Sequence, residues 1–464
     1  MEPRILSSQK VKPAISKSYG YLPVSNLDRV ISSMYPQQFL AFESASWGLK
    51  EDVVTALKRT LAEVLVHYYP LAAELKDPEQ GMYKILCNGT GAKLTEAYMD
   101  APIKDLDFTF PGRSFARKFL PEPNLVGPVL CPLYVKITRF RCGGLLLGMC
   151  YHHQVADFRS FLMFVQAWSK AMRGQEVRVL PSHNRWLLEG RPHPFPFKNH
   201  DLEYRVKPKD EVRVPRLPNP VDENPVLSKY FHLNKRTNRQ LRRLATADGN
   251  YGPFTSSVCV AAFFWRLIMR ANGFSREDQV AKLVCSVDGR QRLLDVGVAD
   301  NYFGNMIGLA CSAINIGKLE KAPLSLTAGL IHENMQRVMT SDHFRSLIDW
   351  VEAQKPLTVC PNFDMSSEPV MICSSWINAP FYDLDFGLGR RPHFVGCGSM
   401  PAGVYNILWL NPSPYGRGNI LAEVHLRSDS LSRLENDPEF EPILSSHREF
   451  MSEYRPSSKL HSRI

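Results

Sequence analysis

The chain has 464 residues, which exceeds the length at which a single hydrophobic core stops growing, so we expect two domains. Apolar residues make up 44% and charged residues 22%, which is ordinary for a folded globular protein and excludes extended disorder. The net charge of +10 is spread along the chain, and no RNP, zinc-finger or basic-helix signature accompanies it, so we expect an anionic small-molecule ligand or a plain basic surface and no nucleic-acid partner.

The sequence shows no metal site and no membrane segment. None of the ten cysteines forms a Cys-x-x-Cys pair or stands at zinc-ligand spacing from a histidine, so we expect reduced thiols and no metal. No apolar run approaches about 18 residues, and no apolar signal segment follows residues 1–4, so we expect a cytoplasmic protein without a membrane span. The tripeptide Ser-Lys-Leu at 458–460 resembles a peroxisomal address but ends before the C-terminus, where such a signal is read.

Helical and strand patterns alternate along the chain. Apolar residues recur at helical spacing over 51–69, before a proline. Apolar and polar residues alternate over 133–138, which predicts a strand, and this alternation stops over the next three residues. The apolar run 145–151 predicts a buried second strand, so we expect the two strands to form a hairpin. Helical patterns return over 158–174, where a glycine closes the helix, and over 256–271.

Nine prolines fall among charged residues between Pro181 and Pro225, where no helical or alternating period persists. This composition predicts a long crossover between two domains. We therefore expect an N-terminal domain over 1–180, a crossover over 181–225 and a C-terminal domain over 226–464, all in an α/β fold.

His153 stands where the buried strand 145–151 gives way to the next helix. Asp157 occupies the N-cap position of that helix, where its carboxylate can accept hydrogen bonds from unpaired backbone amides. Such corners are where α/β proteins expose reactive side chains. Because an imidazole is suited to removing a proton from an alcohol at neutral pH, we interpret His153 as a general base.

The His-x-x-x-Asp spacing is weak evidence by itself. About half a chance match is expected in a chain of this size, and His425 and Asp429 have the same spacing. The ordinary interpretation is a capping aspartate beside a structural histidine. The corner position and the doublet His152-His153 favour the catalytic interpretation.

A second conspicuous string is Asp385-Phe386-Gly387-Leu388-Gly389. The Asp-Phe-Gly triplet of protein kinases is excluded, since no kinase catalytic loop, lysine strand or glycine-rich loop accompanies it. Two glycines two positions apart predict a tight turn, and the aspartate is expected to fix that turn through hydrogen bonds to the backbone.

The segments 152–157 (His-His-Gln-Val-Ala-Asp) and 385–389 together resemble the plant BAHD acyltransferase family, over nearly the whole chain. Further strings that look like family landmarks are 69–73 (Tyr-Pro-Leu-Ala-Ala), 287–292 (Val-Asp-Gly-Arg-Gln-Arg), 302–305 (Tyr-Phe-Gly-Asn) and 374–376 (Ser-Ser-Trp). Residues 185–204 are most similar to the hydroxycinnamoyl-transferring branch.

The resemblance implies two chloramphenicol-acetyltransferase-like domains joined by the crossover, with an active-site channel between them. Acyl-CoA is then a co-substrate and not a bound cofactor; it and the acceptor enter from opposite faces and meet at His153. A monomer is the family-level expectation. By the same similarity Asp157 points away from the substrates and pairs with Arg290.

Further site residues follow from the resemblance alone. Asp385, Phe386, Gly387 and Gly389 are expected to support the fold on the CoA side, away from the chemistry. Ser374 and Trp376 match positions that line the site and help to hold the tetrahedral oxyanion. Thr255, Ser256 and Ser257 open a helix whose amides and hydroxyls suit CoA oxygens, although serine and threonine cap many helices without binding anything.

The chain departs from the family pattern at four positions. Phe158 replaces the usual glycine after Asp157, so the corner is expected to be shaped differently if a left-handed backbone is needed there. Leu388 replaces a tryptophan, and Asn184 replaces a common aspartate. Asn378 replaces an arginine that is thought to clasp the carboxylate of shikimate or quinate, and an amide cannot reproduce that bidentate ion pair.

The predicted function is therefore acyl transfer from CoA to an alcohol or amine that has no clasped carboxylate, with a hydroxycinnamoyl donor suggested by the resemblance. Acetyl, malonyl and fatty acyl donors stay open. The alternatives are a non-catalytic binding protein of the same fold and a carrier-protein condensation domain, and the sequence shows no attached carrier segment for the latter.

Overall fold

The computed structural model describes residues 2–15, 17–43, 51–79, 82–111, 113–125, 127–194, 200–207, 224–247, 252–274, 278–365, 368–398 and 404–454. The strands are β1 (Arg4–Val11), β2 (Gly20–Leu22), β3 (Gln37–Phe42), β4 (Glu74–Glu79), β5 (Met82–Cys87), β6 (Ala92–Met99), β7 (Val129–Leu130), β8 (Leu133–Phe140), β9 (Leu145–Tyr151), β10 (Tyr204–Lys207), β11 (Val226–Leu233), β12 (Val280–Asp288), β13 (Ile307–Asn315), β14 (Thr358–Pro361), β15 (Val370–Ser375), β16 (Phe394–Cys397), β17 (Ile407–Pro412) and β18 (Ile420–Arg427).

The helices are α1 (Asn26–Arg29), α2 (Val53–Leu65), α3 (Arg113–Phe119), α4 (Phe158–Met172), α5 (Lys235–Ala245), α6 (Ser256–Ala271), α7 (Ile316–Lys321), α8 (Leu324–Val338), α9 (Ser341–Ala353), α10 (Ser428–Glu435) and α11 (Glu441–Glu453). None of these described helices is long and apolar enough to span a bilayer. All ten cysteines are free thiols.

The first large sheet has the strand order β1, β6, β8, β9, β3, β16. Its centre is the predicted hairpin, which is confirmed: β8 and β9 pair antiparallel, and every residue of β9 is buried. The strand β8 continues to Phe140, beyond the lapse of its alternating pattern, because β6 and β9 flank it and seven of its eight residues are buried. Alternation is not required of a strand that is buried on both faces.

Helices α2 and α4 pack against each other and share one hydrophobic core with β9. The helix predicted over 51–69 is confirmed but shorter. It begins after Asp52, whose Oδ1 accepts hydrogen bonds from the amides of Val54 at 3.0 Å and Thr55 at 3.2 Å. It ends before a 3-10 turn over Tyr69–Ala72 that contains Pro70. Proline is tolerated among the first residues of such a turn, because a backbone amide at that position has no hydrogen-bond partner within the turn.

The second large sheet has the strand order β11, β18, β17, β15, β12, β13. Helices α5, α6 and α8 cover one face, and the predicted helix over 256–271 is confirmed as α6 with the same bounds. The opposite face meets the first sheet. Tyr230 of β11 accepts a hydrogen bond from the Cys397 amide at 2.6 Å, and its ring packs edge-on against Phe394 at 5.3 Å.

The strand β16 belongs to the first sheet although it comes late in the chain. It pairs antiparallel with β3, so residues 394–397 complete the sheet that is otherwise built from residues 4–151. Chain order and sheet membership therefore differ here, and the domain boundaries at 180 and 226 remain predictions.

The segment predicted as a crossover contains short regular elements. A 3-10 turn covers Arg185–Leu188, and β10 pairs antiparallel with β14 of the second half. Residues 195–199 and 208–223 lie outside the described part of the chain. The proline-rich composition concealed these elements because each is only four residues long.

Candidate active site

The strand β9 is followed directly by a histidine doublet, and Asn305 from the second half of the chain contacts the second histidine. His152 is fully buried, its Nε2 lies 3.0 Å from the hydroxyl of Ser33, and burial lowers its pKa to about 3. His153 is only half-buried, and its backbone amide donates to the carbonyl of Met34 at 2.8 Å. The first imidazole is thus a neutral packing group, and the second keeps access to its surroundings.

Asn305 fixes the orientation of the His153 ring. Its Oδ1 lies 3.2 Å from His153 Nδ1, and its Nδ2 donates to the His153 carbonyl at 2.8 Å and to Asp28 Oδ1 at 2.9 Å. These two acceptors assign the amide nitrogen, so the other amide atom is an oxygen that can only accept. His153 therefore carries its proton on Nδ1, and Nε2 is left with a free lone pair.

Burial lowers the pKa of His153 below its ordinary value of 6.5. Asp157, Asp28 and the hydrogen bond that His153 donates to Asn305 act in the opposite direction without cancelling that effect. The imidazole is therefore neutral at pH 7, which is the form that can accept a proton.

Asp157 points away from this ring and into the protein. It caps α4 through the Ser160 amide at 2.8 Å, and it accepts two hydrogen bonds from Arg290, Nη1 to Oδ2 at 2.8 Å and Nη2 to Oδ1 at 2.9 Å. Burial by itself would raise the pKa of Asp157, but Arg290 and the amides of Ser160 and Met306 hold it below its usual range. This bidentate pair ties the corner to the turn that follows β12.

A second buried ion pair, between Asp28 and Arg185, holds Asn305 in place through hydrogen bonds to Asp28. Asp28 lies 2.6 Å from Arg185, and both side chains are fully buried. The same aspartate also accepts from the backbone amide of Asn305 at 3.0 Å, while Arg185 donates to the carbonyl of Val155 inside the corner at 2.6 Å. The corner that carries His153 is thus held by Asp28, Arg185 and Arg290, which come from three distant parts of the sequence.

Phe158 begins α4 and faces the second sheet. Its backbone is not left-handed, since it is the first helical residue, so the corner does not need the glycine that the family usually has. Its ring stacks on Trp376 with centroids 4.0 Å apart and planes at 9°. Trp376 directly follows β15, and Ser374 near the end of that strand donates to the hydroxyl of Ser286 at 3.2 Å.

The remaining positions singled out from the sequence have local roles or are exposed. Asn378 is exposed, two residues beyond Trp376. Thr255 caps α6 by accepting from the Val258 amide at 3.4 Å, and its hydroxyl lies 3.0 Å from that of Ser257. Ser256 is the first residue of α6. Asn184 is exposed and precedes the 3-10 turn of the crossover.

The Asp385–Gly389 turn lies at the far end of α4. Gly387 and Gly389 both have positive φ, and so does Phe386, with φ of 50°. Asp385 accepts from the Gly387 amide at 3.1 Å, and the Phe386 amide donates to Ser169 on α4 at 3.1 Å. Since α4 has 15 residues, about 22 Å separates this turn from Asp157. Leu388 is buried in the same core, where it occupies the tryptophan position of the family.

Sequence reasoning placed His153, Asp157, Arg290 and Trp376 in the site but missed Asn305 as a partner of the imidazole. Residues 302–305, which include Asn305, resemble a family landmark, but the sequence predicts no role for them. The other sequence match, His425, is a fully buried strand residue bonded to Ser228 at 2.7 Å. In the described part of the chain, no group of three or more His, Cys, Asp or Glu side chains is arranged to hold a metal ion.

The chain matches the model of the Transferase family over residues 3–441. It is 31% identical over 453 residues to putrescine hydroxycinnamoyltransferase 3 of Oryza sativa subsp. japonica, covering 93% of this chain and 98% of that protein. It is 29% identical over 449 residues to shikimate O-hydroxycinnamoyltransferase of Nicotiana tabacum, covering 94% and 99%. Vinorine synthase has the same fold of two chloramphenicol-acetyltransferase-like domains, with a TM-score of 0.72 at 21% identity, covering 96% of this chain and 98% of that one.

Proposed function

This chain belongs to the BAHD acyltransferase family, and on that premise we propose that His153 is the general base for transfer of a hydroxycinnamoyl group from CoA to an amine or alcohol. That the chain is an acyltransferase acting with acyl-CoA follows from the family and its relatives. The observation that carries the proposal is the hydrogen bond between His153 Nδ1 and Asn305, because it leaves Nε2 unprotonated.

The proposed reaction begins when the acceptor loses its proton to His153 Nε2 as it attacks the thioester carbonyl. The carbonyl oxygen becomes an oxyanion, which is held by donors near Ser374 and Trp376. The tetrahedral intermediate then collapses, the carbon–sulfur bond breaks, and the imidazolium returns its Nε2 proton to the CoA thiolate. The proton on Nδ1 stays on the imidazole throughout, in the hydrogen bond that Nδ1 donates to Asn305 Oδ1. A thioester is already an activated acyl donor, so neither a covalent enzyme intermediate nor a resident cofactor is required.

The acceptor is proposed to lack a carboxylate that the enzyme grips. Asn378 has no positive charge, and a neutral amide cannot form the bidentate pair that a carboxylate acceptor needs at that position. The names of the relatives include an amine acceptor, putrescine, and a hydroxy acid, shikimate. The neutral side chain at 378 favours the amine or a simple alcohol over the hydroxy acid.

The test is an acceptor panel with purified protein. p-Coumaroyl-CoA and acetyl-CoA are each paired with putrescine, 1-hexanol and shikimate, and free thiol release and product mass are measured. We expect turnover with p-coumaroyl-CoA and an amine or alcohol, and a loss of about 10²–10⁴-fold in His153→Ala. Turnover of shikimate as fast as the best other acceptor would contradict the acceptor assignment. Binding of CoA without thiol release from any pair would instead indicate a non-catalytic binding protein of this fold.

A further inference from the structure

Helix α5 carries charge of one sign only. Its charged residues are all basic and all exposed, and they are Lys235, Arg236, Arg239, Arg242 and Arg243. With 3.6 residues per turn, these five positions fall within a stripe about 120° wide along the helix. The opposite side of the helix is buried and packs on α6 and α8. We call the five residues the basic stripe.

The energetics of the helix itself disfavour this stripe. Two of its members lie in the first turn, where the helix dipole favours acidic residues and none is present. Lys235 and Arg239, and likewise Arg239 and Arg243, are four positions apart, and like charges at that spacing destabilise a helix. The Glu449 carboxylate near the start of α5 accepts a hydrogen bond from the Asn234 side chain at 2.8 Å. Within the described ranges, no member of the stripe forms an ion pair, so an anionic partner would relieve the repulsion.

The turn between β17 and β18 extends the positive charge beyond the start of α5. Asn419 Oδ1 accepts a hydrogen bond from the Lys235 amide at 3.1 Å, and Asn238 Nδ2 donates to the Gly418 carbonyl at 3.1 Å. These two bonds fix the turn against the helix. Arg417 is exposed in the same turn. The positive surface is therefore built from two elements that are held together.

Two exposed apolar side chains accompany these charges. Leu244, in the last turn of α5, is 50% exposed, and Tyr415, in the turn that contacts the start of the helix, is 43% exposed. Leucine and tyrosine side chains can enter the headgroup region of a bilayer. A nucleic acid would use the basic residues but would have no use for the exposed leucine. Basic residues flanked by apolar ones are typical of a helix that lies on an anionic membrane.

We propose that this surface, which comprises the basic stripe, Arg417, Leu244 and Tyr415 and which we call the α5 face, docks on a lipid bilayer with anionic headgroups. Each basic residue close to such a bilayer strengthens binding by about fivefold. Helix α5 covers the face of the second sheet that is turned away from the first sheet, so docking does not involve the His153 corner. The inference goes beyond the proposed acyl transfer and does not depend on it.

The test is sedimentation of the full chain with vesicles. The protein is mixed with vesicles of phosphatidylcholine, or of equimolar phosphatidylcholine and phosphatidylglycerol, and the bound fraction is measured at about 0.05 M and about 0.5 M salt. We expect binding to the mixed vesicles only, and loss of that binding at the higher salt. The triple variant Arg236→Glu, Arg239→Glu, Arg243→Glu is expected to bind at least about 100-fold more weakly, since three basic residues are removed.

The matched control makes the same change in charge elsewhere. Lys10→Glu, Lys12→Glu and Lys17→Glu alter three exposed residues near the start of the chain, and this variant is expected to keep most of the binding. Thermal unfolding checks that both variants are folded. The α5 variant is expected to be no less stable than the wild type, because glutamate suits the first turn of a helix. Its thiol release in solution is expected to be unchanged.

Two other anionic ligands are tested in parallel, a random-sequence single-stranded RNA and p-coumaroyl-CoA. Absence of wild-type binding to the mixed vesicles, or equal binding by the α5 variant and the control variant, would overturn the proposal. If the vesicles are not bound but the RNA is, or if only the KM for p-coumaroyl-CoA rises in the α5 variant, the α5 face serves that ligand instead and the proposal is wrong.

Discussion

The Nδ1 atom of His153 lies 3.2 Å from Oδ1 of Asn305, which is 152 positions further along the chain. This contact decides which nitrogen of the imidazole carries the proton. The same amide binds the carbonyl of His153, so it fixes both the backbone and the ring of the proposed base.

Asn305→Ala is expected to lower kcat by at least about 10-fold, since the ring then loses the partner that selects its tautomer. The measurement is steady-state thiol release with the best acceptor of the panel. Asn301→Ala is the matched control, because the side-chain amide of Asn301 donates to the backbone carbonyl of Leu180 at a half-buried position. Wild-type kcat in Asn305→Ala would show that the amide does not position the base.

Arg290→Met is expected to lower the free energy of unfolding by about 3–5 kcal/mol, because it leaves the buried Asp157 carboxylate without its cation. Urea unfolding followed by circular dichroism measures this change. The control is Arg59→Met, which breaks the solvent-screened pairs with Glu51 and Glu63 and is expected to cost less than about 1 kcal/mol. Equal stability of the two variants would contradict a structural role for the Asp157–Arg290 pair.

The pH dependence of kcat/KM should have an acid limb set by His153. Because burial lowers the pKa of His153, the ring is still neutral at pH 6.5, the ordinary pKa of histidine, and becomes protonated only at lower pH. Activity is therefore expected to be constant from about pH 8 to 6.5 and to fall below that, as the base is lost. Circular dichroism at each pH separates loss of the base from unfolding. A midpoint above 6.5 would show that another group controls the rate.

Gly387→Ala is expected to destabilise the protein more than Gly389→Ala. Both residues have positive φ, so both substitutions strain the backbone similarly. At 387, however, the added Cβ would lie 3.0 Å from the Met172 carbonyl oxygen, whereas at 389 nothing lies within 4 Å. Thermal unfolding measures the difference. Equal melting temperatures would mean that the end of α4 moves aside without cost.

Local patterns predicted the hairpin β8–β9, the helix α4 with its aspartate cap, and the bounds of α6. Each of these depends on neighbours in sequence, where apolar periodicity and capping act directly. The contribution of β16 to the first sheet, by contrast, had no local signal. A four-residue strand carries too short a pattern, and its partner β3 lies more than 350 residues earlier.

By itself the sequence determined that His153 occupies a strand-to-helix corner and that Asp157 caps the following helix, because both follow from the apolar patterns of the adjoining segments 145–151 and 158–174. Only the tertiary structure decided which ring nitrogen is free and what Phe158 contacts. Those outcomes depend on Asn305 and Trp376, which reach the corner through the pairing of distant strands, and side-chain contacts of that range leave no periodic trace in the chain.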